Sequence, residues 1–210
     1  MQVNIKSANR DLQWTIPSSP TVNVVCGYHD SGKTLLCNGI RYAQGVSQGI
    51  DSGVEGLSVS LQHEGEEWST DPLSTCPPGI AQWLANARVL DPWIGAGDKI
   101  LRIIDAVVQV LFVPPGGVAF FDGFGDGLHP HMIRVFLADM ACKAEQNEST
   151  VVLTTHNPVV LNEFQDRPDQ VFVFSSTNGP APLTELVPPT HTALFELGQL
   201  YDREKFGGLL

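Results

Sequence analysis

Apolar and polar positions alternate in the first part of the chain. Residues 3–7 and 12–16 each follow a period of two, and the polar residues Asn9, Arg10 and Asp11 lie between them. A period of two places successive side chains on opposite faces of a strand. The pattern therefore predicts an antiparallel pair of strands at the start of the chain.

Four short apolar runs follow further along the chain. Each run is bounded by turn residues, which is typical of strands that are covered on both faces of a sheet. They occupy residues 22–26, 118–121, 151–154 and 171–174. We expect these runs to form the buried strands of a sheet.

Segments with helical spacing separate these runs. Residues 34–42 directly follow a glycine turn, and residues 130–144 join two of the apolar runs into a strand–helix–strand unit. A third helix is predicted to begin near Asp98, to end before Pro114 and to be largely buried. Its apolar residues are Ile100, Leu101, Ile103, Ile104, Val107, Val108, Val110 and Leu111.

This alternation of strands and helices indicates an α/β fold. Because strands joined by a helix run parallel, we expect a mixed, largely parallel sheet flanked by helices, with the antiparallel pair at its start. A closing helix is predicted at 192–201. Residues 43–93, with one strand-like run at 57–62, are expected to be a variable loop region within a single domain that spans 1–210.

Composition and charge exclude several classes of protein. Hydrophobic residues make up 42% of the chain and charged residues 17%, as in folded globular proteins. A formal net charge of -11 disfavours direct binding to nucleic acid, so DNA is expected only through a partner. No apolar stretch is long enough to span a membrane and the start lacks a secretory pattern, so we expect a cytoplasmic protein. The four cysteines form no Cys-x-x-Cys pair, which favours free thiols over zinc ligands.

A phosphate-binding motif follows the first apolar run. The pattern G-x-x-x-x-G-K-[ST] is matched, between a predicted strand and a predicted helix, by Gly27, Tyr28, His29, Asp30, Ser31, Gly32, Lys33 and Thr34. Backbone N–H groups and the helix N-terminus are suited to hold phosphate oxygens, with Lys33 near the β- and γ-phosphates. The hydroxyl of Thr34 is a candidate ligand of magnesium. The segment therefore predicts a site for ATP and Mg²⁺.

An acidic residue ends the apolar run at 118–121. The sheet would deliver Asp122 beside the phosphates, where it is our candidate magnesium-side acid. An aspartate after four apolar residues is common, so its significance depends on neighbouring segments. Residues 121–130 read FDGFGDGLHP, and residues 152–158 read VLTTHNP.

Together these segments resemble the compact ATP-binding-cassette-like P-loop ATPases of the AAA, OLD and RecF/SMC-related group. In that group the second motif reads roughly D-E-x-E-x-G-L-H-P and the switch reads T-T-H-[SN]-P. The resemblance spans most of the chain and implies an ATPase head with ATP and Mg²⁺ as cofactors. It also implies catalytic roles for Asp122 and for His156, the latter as the switch histidine that contacts the γ-phosphate and the attacking water.

The resemblance further implies a signature stretch before the third helix. Residues 94–99 read IGAGDK, with Gly95 in place of the usual serine. In the family the signature of one subunit caps the nucleotide of another, which places Gly97 among the nucleotide-binding candidates and implies a homodimer or a hetero-complex. A plain helix-start turn accounts equally well for both glycines. A Q-loop glutamine is also expected, and Gln62 is the candidate as a further magnesium ligand.

One departure from the family pattern bears on hydrolysis. Gly123 stands where the family has the glutamate that polarises water, and Gly125 stands where a second acid is frequent, which leaves Asp126 as the nearby carboxylate. Glycine cannot accept a proton from water. His129 also matches a family position, and we interpret it as a residue that braces the loop.

Three functions stay open at this point. The first is an ATPase, slow or partner-dependent, whose nucleotide state controls a dimer or a partner protein. The second is an interaction module that ATP locks without turnover. The third is a small-molecule or nucleoside kinase, against which the Thr-Thr-His-Asn-Pro segment at 154–158 argues.

Overall fold

The computed structural model describes residues 1–19, 21–28, 30–50, 56–71, 74–92, 98–174, 179–203 and 206. Its strands are β1 (Gln2–Ser7), β2 (Arg10–Thr15), β3 (Val22–Cys26), β4 (Ser58–His63), β5 (Glu66–Ser69), β6 (Arg88–Leu90), β7 (Val118–Phe121), β8 (Thr150–Thr154), β9 (Val171–Phe174) and β10 (Pro180–Pro182). Its helices are α1 (Lys33–Gln48), α2 (Pro78–Asn86), α3 (Lys99–Leu111), α4 (Pro130–Gln146), α5 (Pro158–Asn162), α6 (Leu183–Leu186), α7 (Pro189–Leu194) and α8 (Leu197–Asp202).

A six-stranded sheet with the order β10-β9-β3-β8-β7-β6 forms the centre of the molecule. The strands from β9 to β6 pair in parallel, and β10 adds to the edge of β9 in the antiparallel sense. The expectation of an α/β fold with a mixed, largely parallel sheet is thereby confirmed. The predicted strands at 22–26 and 171–174 coincide with β3 and β9.

Side chains of the central sheet alternate between two apolar cores. In β7, Ala119 and Phe121 point to the face that is covered by α3, α4, α5 and α8. Val118 and Phe120 point to the opposite face, which is covered by α1, α2 and a second sheet. All four residues are buried, which explains why this strand reads as a continuous apolar run.

The second sheet is antiparallel and has the order β2-β1-β4-β5. Its first two strands are the predicted N-terminal pair, which is confirmed with Ser7 opposite Arg10 at the hairpin end. Strand β4 extends this pair on the other side of β1, with Lys6 opposite Ser58 and Gln2 opposite Gln62. The hairpin end of this sheet reaches the loop after β3, as described below.

Helix α1 continues beyond the predicted end at Tyr42. The amide of Gln44 donates hydrogen bonds to the backbone carbonyls of Leu84 (2.8 Å) and Ala87 (3.0 Å). The helix ends at Gly49, whose left-handed conformation lets its N–H cap the last turn. These tertiary contacts, which local sequence does not reveal, account for the extra length.

The region 43–93 holds more regular structure than the sequence indicates. Besides the end of α1, its described residues form β4, β5, α2 and the short edge strand β6. Helix α2 begins directly at Pro78, within the predicted loop region, because proline is tolerated in a first helical turn. Strand β6 owes its conformation to pairing with β7.

Helix α3 begins where predicted, with Asp98 as its N-cap, but the prediction that it is largely buried is wrong. Its inner face packs through Ile103, Ala106, Val107 and Val110. A helix with one covered face cannot bury apolar residues all around its circumference. The outer face therefore exposes Ile100 (51%), Leu101 (65%), Ile104 (38%) and Val108 (42%), followed by Phe112 (78%).

The closing helix predicted at 192–201 is two helices, α7 and α8. The chain is extended at Phe195 and Glu196, and α8 then packs against α5. Among the helices of the described residues, none is long and apolar enough to cross a membrane.

Candidate nucleotide site

The predicted site residues follow the carboxyl ends of three adjacent strands. Strands β3, β8 and β7 are neighbours in that order and run parallel. The loop from Gly27 follows β3, Asp122 follows β7, and His156 lies just after β8. Parallel strands bring these segments to one edge of the sheet, which is where open α/β sheets bind ligands.

The loop after β3 is held by the side chain of Lys33. Its ammonium group donates to the carbonyls of Gly27 and Tyr28, both at 2.7 Å, and to Oγ of Ser31 at 2.9 Å. An ammonium group has three N–H donors, so all of them are used inside the loop. Lys33 is accordingly buried, with 5% of its surface exposed.

Helix α1 starts at the end of this loop. Gly32 is its N-cap residue, and within the described part of the chain no side chain bonds to the first N–H groups of the helix. Thr34 lies exposed in the first turn. Free N–H groups and a positive helix end are suited to bind an anion. His29, named with this loop, lies outside the described residues.

A cavity of about 460 Å³ opens beside the loop and the start of α1. It contains both predicted and unpredicted residues. Its described lining consists of Asn9, Arg10, Asp30, Ser31, Gly32, Lys33, Thr34, Leu35 and His156. The cavity thus joins the loop, the switch segment after β8 and the hairpin end of the antiparallel sheet.

Burial lowers the pKa of Lys33 from 10.5 to about 8. Nearby carboxylates that favour the charged form oppose this shift, and they belong to Asp122, Asp30 and Asp126. Three acidic side chains therefore lie within electrostatic reach of the lysine. Burial also raises the pKa of Cys26 to about 12, so this thiol is neutral and inert at the end of β3.

Asp122 is held in one orientation by strand β8. The hydroxyl of Thr154 donates to Oδ1 of Asp122 at 2.5 Å, and the same hydroxyl accepts a hydrogen bond from the N–H of Gly123 at 2.9 Å. Asp122 is 7% exposed. The carboxylate is therefore fixed at the strand ends, with its second oxygen outside this pair of bonds.

The segment after β8 is bonded to the loop after β7. Thr155 donates to the carbonyl of Phe124 at 2.8 Å, and the amide of Asn157 donates to the carbonyl of Gly125 at 2.8 Å. Asn157 also caps α5 by accepting from the N–H of Val159. His156, between the two anchored residues, lines the cavity.

Two glycines in the loop after β7 are required by its geometry. Gly123 has φ +71°, a left-handed conformation that side chains other than glycine adopt at a cost. A β-carbon at position 125 would lie 2.6 Å from Cγ2 of Val160. The backbone at position 123 and the packing at position 125 therefore favour glycine, whereas the family pattern has acids at these two positions.

The structure does not bring Gln62 to the cavity. Its amide donates to Oε1 of Glu67 at 2.9 Å on the exposed face of the antiparallel sheet. In β4, Gln62 is four residues beyond Ser58, the residue nearest the hairpin end, which corresponds to about 13 Å along a strand. The described lining of the cavity does not include Gln62, and its role as a magnesium ligand stays a prediction that this position does not support.

His129 caps α4 by accepting a hydrogen bond from the N–H of His131 at 3.2 Å, in line with a bracing role. Gly95 and Gly97 lie outside the described residues. Elsewhere in the site, Tyr201 of α8 donates to the carbonyl of Gly27 at 2.9 Å, so the end of the chain also contacts the loop.

Sequence reasoning missed Arg10 and Asn9 as cavity residues. Asn9 lies in the turn between β1 and β2, and Arg10 begins β2. Only the packing of the second sheet against α1 brings them to the loop. A sequence signal existed in the form of a basic residue at the hairpin tip. Nothing local to the hairpin, however, indicates which loop it meets.

Comparison with known proteins gives distantly similar solved structures and a partial family match. No curated protein matches the chain. Two similar solved structures are described as "Crystal structure of the SmcHead bound to the C-winged helix domain of ScpA" and "Structure of cbiO1 from clostridium perfringens: Part of the ABC transporter complex cbiONQ". The first has a TM-score of 0.47 at 10% identity, covering 86% of this chain and 96% of the other. The second has a TM-score of 0.46 at 10% identity, covering 95% and 98%.

The family match is confined to part of the chain. Residues 96–162 match a family model described as "AAA domain, putative AbiEii toxin, Type IV TA system". This segment contains Asp122 and His156, and the loop 27–34 lies outside it. Over these residues the chain is therefore similar to AAA-type ATPase domains.

Proposed function

We propose that this protein binds ATP with Mg²⁺ at the loop 27–34 and is a slow or partner-dependent ATPase whose nucleotide state controls association. The observation that carries the proposal is the cavity that Lys33, Thr34 and His156 share. Asp122 lies within electrostatic reach of Lys33 at the same edge of the sheet. The family match over 96–162 adds support from an independent part of the chain.

The oxygen donors of the site fit a magnesium ion that is bound together with phosphates. Thr34 offers an exposed hydroxyl, and Asp122 offers the carboxylate oxygen that Thr154 leaves unbonded. Magnesium prefers oxygen ligands and usually takes one or two carboxylates plus substrate phosphates and waters. Among the described residues there is no cluster of three metal-binding side chains, so the phosphates would complete the ligand set. The ion, when bound, would neutralise charge on the phosphates.

Residues of the chain would provide the other contacts to the phosphates and to the attacking water. The N–H groups of the loop and of the first turn of α1 would hold phosphate oxygens. Lys33 would exchange at least one of its bonds within the loop for a bond to phosphate. His156 would contact the terminal phosphate and the attacking water. None of these groups replaces the missing carboxylate at position 123.

Slow turnover follows from that missing base. General-base assistance contributes about 10²- to 10⁴-fold to a rate. Asp126, or a carboxylate from a partner chain, would have to supply it. The alternative function, an interaction module that ATP locks without turnover, is favoured by the left-handed backbone at Gly123 and by the packing of Gly125 against Val160. Release of inorganic phosphate by the purified protein, with and without added partner, separates the two.

Association through a second copy of the chain is supported by the outer face of α3. This helix follows the signature region, and its exposed apolar side chains present roughly 400–500 Å² per chain. Two copies packed through this face would bury close to the ~1,000 Å² that a specific interface requires. The exposed set is Ile100, Leu101, Ile104, Val108 and Phe112.

Light scattering in line with gel filtration tests this association. We expect ATP to double the mass of the wild-type protein. Leu101→Glu should prevent this doubling, because a charge in a buried apolar interface is unfavourable. The matched control is Val135→Glu, at an exposed position of α4 outside that face. A mass that stays monomeric with ATP would contradict association through a second copy of the chain.

The four cysteines are free thiols. Free thiols support our placement of the protein in the cytoplasm, where such groups stay reduced. The net charge of -11 supports contact with DNA only through a partner.

A further inference from the structure

The side chain of Arg10 lies against the phosphate-binding loop. Arg10 begins β2, and its backbone is fixed by Ser7, whose Oγ donates to the Arg10 carbonyl (3.0 Å) and accepts from the Arg10 N–H (3.2 Å). The guanidinium group then reaches Gly32. A β-carbon at position 32 would lie 3.0 Å from Nη1 and 3.4 Å from Cδ of Arg10. The glycine at the start of α1 thus leaves room for an arginine from another sheet.

The guanidinium group of Arg10 has an unused donor. Its Nη1 atom is buried and has no hydrogen-bond partner within the described part of the chain. Asp30 lines the same cavity, yet no ion pair forms between the two. A buried donor without a partner is unfavourable, and native structures rarely keep one without a reason.

Lys33 is the other lysine or arginine in the described cavity lining, and its donors, unlike that of Arg10, are occupied. Its three donors are all bonded within the loop. An anion that enters the cavity can therefore bind Lys33 only after the lysine releases one of its bonds within the loop. Arg10, in contrast, already has an N–H group without a partner. The planar guanidinium group is also well matched in shape to phosphate oxygens.

We propose that Arg10 is a phosphate-binding residue of the nucleotide site, delivered by the N-terminal hairpin. The inference rests on the proposed function, because it takes the cavity to be the nucleotide site. Arg10 would bind oxygens of the polyphosphate chain while Lys33 exchanges its loop contacts. Binding would thereby link the antiparallel sheet to the loop after β3, two parts of the fold that meet at Gly32.

Calorimetric titration of purified variants tests this role. The ligands are Mg-ATP and inorganic tripolyphosphate, which has the phosphate chain without the base or the ribose. The variants are Arg10→Gln and Arg10→Lys. The matched control is Lys6→Gln, which removes a positive charge from the exposed face of β1 in the same hairpin. Because Ser7 bonds only to the backbone of Arg10, the hairpin turn should persist in each variant.

We expect Arg10→Gln to lower the affinity for both ligands about 10- to 100-fold, since a charge-assisted hydrogen bond is lost. Arg10→Lys should lose less, and Lys6→Gln should bind as the wild type does. If Arg10→Gln does not fold, the smaller loss in Arg10→Lys for both ligands carries the test. Wild-type affinity in the Arg10 variants, or a loss for ATP without a loss for tripolyphosphate, would overturn the inference and leave the proposed function standing. A wild-type protein that binds neither ligand would overturn both.

Discussion

The hydroxyl of Thr154 donates a hydrogen bond to Oδ1 of Asp122 over 2.5 Å and accepts one from the N–H of Gly123. One hydroxyl at the end of β8 therefore fixes both the carboxylate and the turn that follow β7. The orientation of the candidate magnesium ligand depends on its neighbouring strand rather than on its own loop. This relationship leads to the first prediction.

Thr154→Val should weaken the magnesium-dependent part of ATP binding, because Asp122 would lose the bond that orients it. We expect a loss of a few-fold to about tenfold, equivalent to one hydrogen bond of about 1 kcal/mol. The matched control is Thr150→Val, at the other end of β8, where the hydroxyl donates to the carbonyl of Ser19. ATP titrations with and without Mg²⁺ give the result, and equal affinities for the two variants would contradict the account.

The pKa of Lys33 predicts the pH dependence of binding. Because this pKa is lowered to about 8, the lysine loses its charge as the pH rises through 8, and an anion binds the charged form better. ATP affinity should be flat from pH 7 to 8 and then fall by up to about tenfold per pH unit. Titrations between pH 7 and 10 measure this directly. An affinity that is constant up to pH 10 would exclude Lys33 as the titrating phosphate ligand.

The same shift has a second consequence, for stability. Between pH 8 and 10.5 the unfolded chain holds a proton on Lys33 that the folded protein has lost. The contribution of this residue to the free energy of unfolding therefore increases with pH across that window. Lys33→Met removes the titrating group, so the slope of stability against pH should be smaller in that variant.

Gly123→Glu tests whether the missing base limits turnover. The left-handed backbone at this position makes any side chain unfavourable by about 1–2 kcal/mol, so Gly123→Ala is the control for strain alone. Both variants should unfold more easily than the wild type. Relative to Gly123→Ala, the glutamate variant should release phosphate faster, by up to ~10²-fold or more. Equal rates of phosphate release in the two variants would mean that another group acts as the general base.

Much of the fold and part of the site could be predicted from the sequence. Strands β3 and β9 were predictable because each is a buried run bounded by turn residues, and the start of α3 was predictable because Asp98 is an N-cap. How much of α3 is buried could not be predicted. The spacing of apolar residues shows which positions are apolar, but it does not show whether another part of the protein covers them. Phe112 is the clearest case, with 78% of its surface exposed.

The remaining parts of the site depend on contacts between distant elements. Arg10 meets Gly32 only because both sheets pack with α1 in one apolar core. The sequence pattern shows that the acid is absent at position 125, whereas the contact with Val160 explains why no side chain fits there. Gln62 has the residue type that a Q-loop requires, but its place along β4 takes it away from the cavity.

The most direct test of the central claim is calorimetric titration of Mg-ATP into the wild-type protein and into Lys33→Met. Methionine keeps the apolar stem of this buried side chain and removes its charge, so the loop loses its ammonium bonds without a large cavity. Lys6→Met, at an exposed position, is the control. We predict that the wild type and Lys6→Met bind ATP alike and that Lys33→Met loses at least about a hundredfold in affinity. Equal affinity of the wild type and Lys33→Met would contradict the assignment of the loop as the nucleotide site.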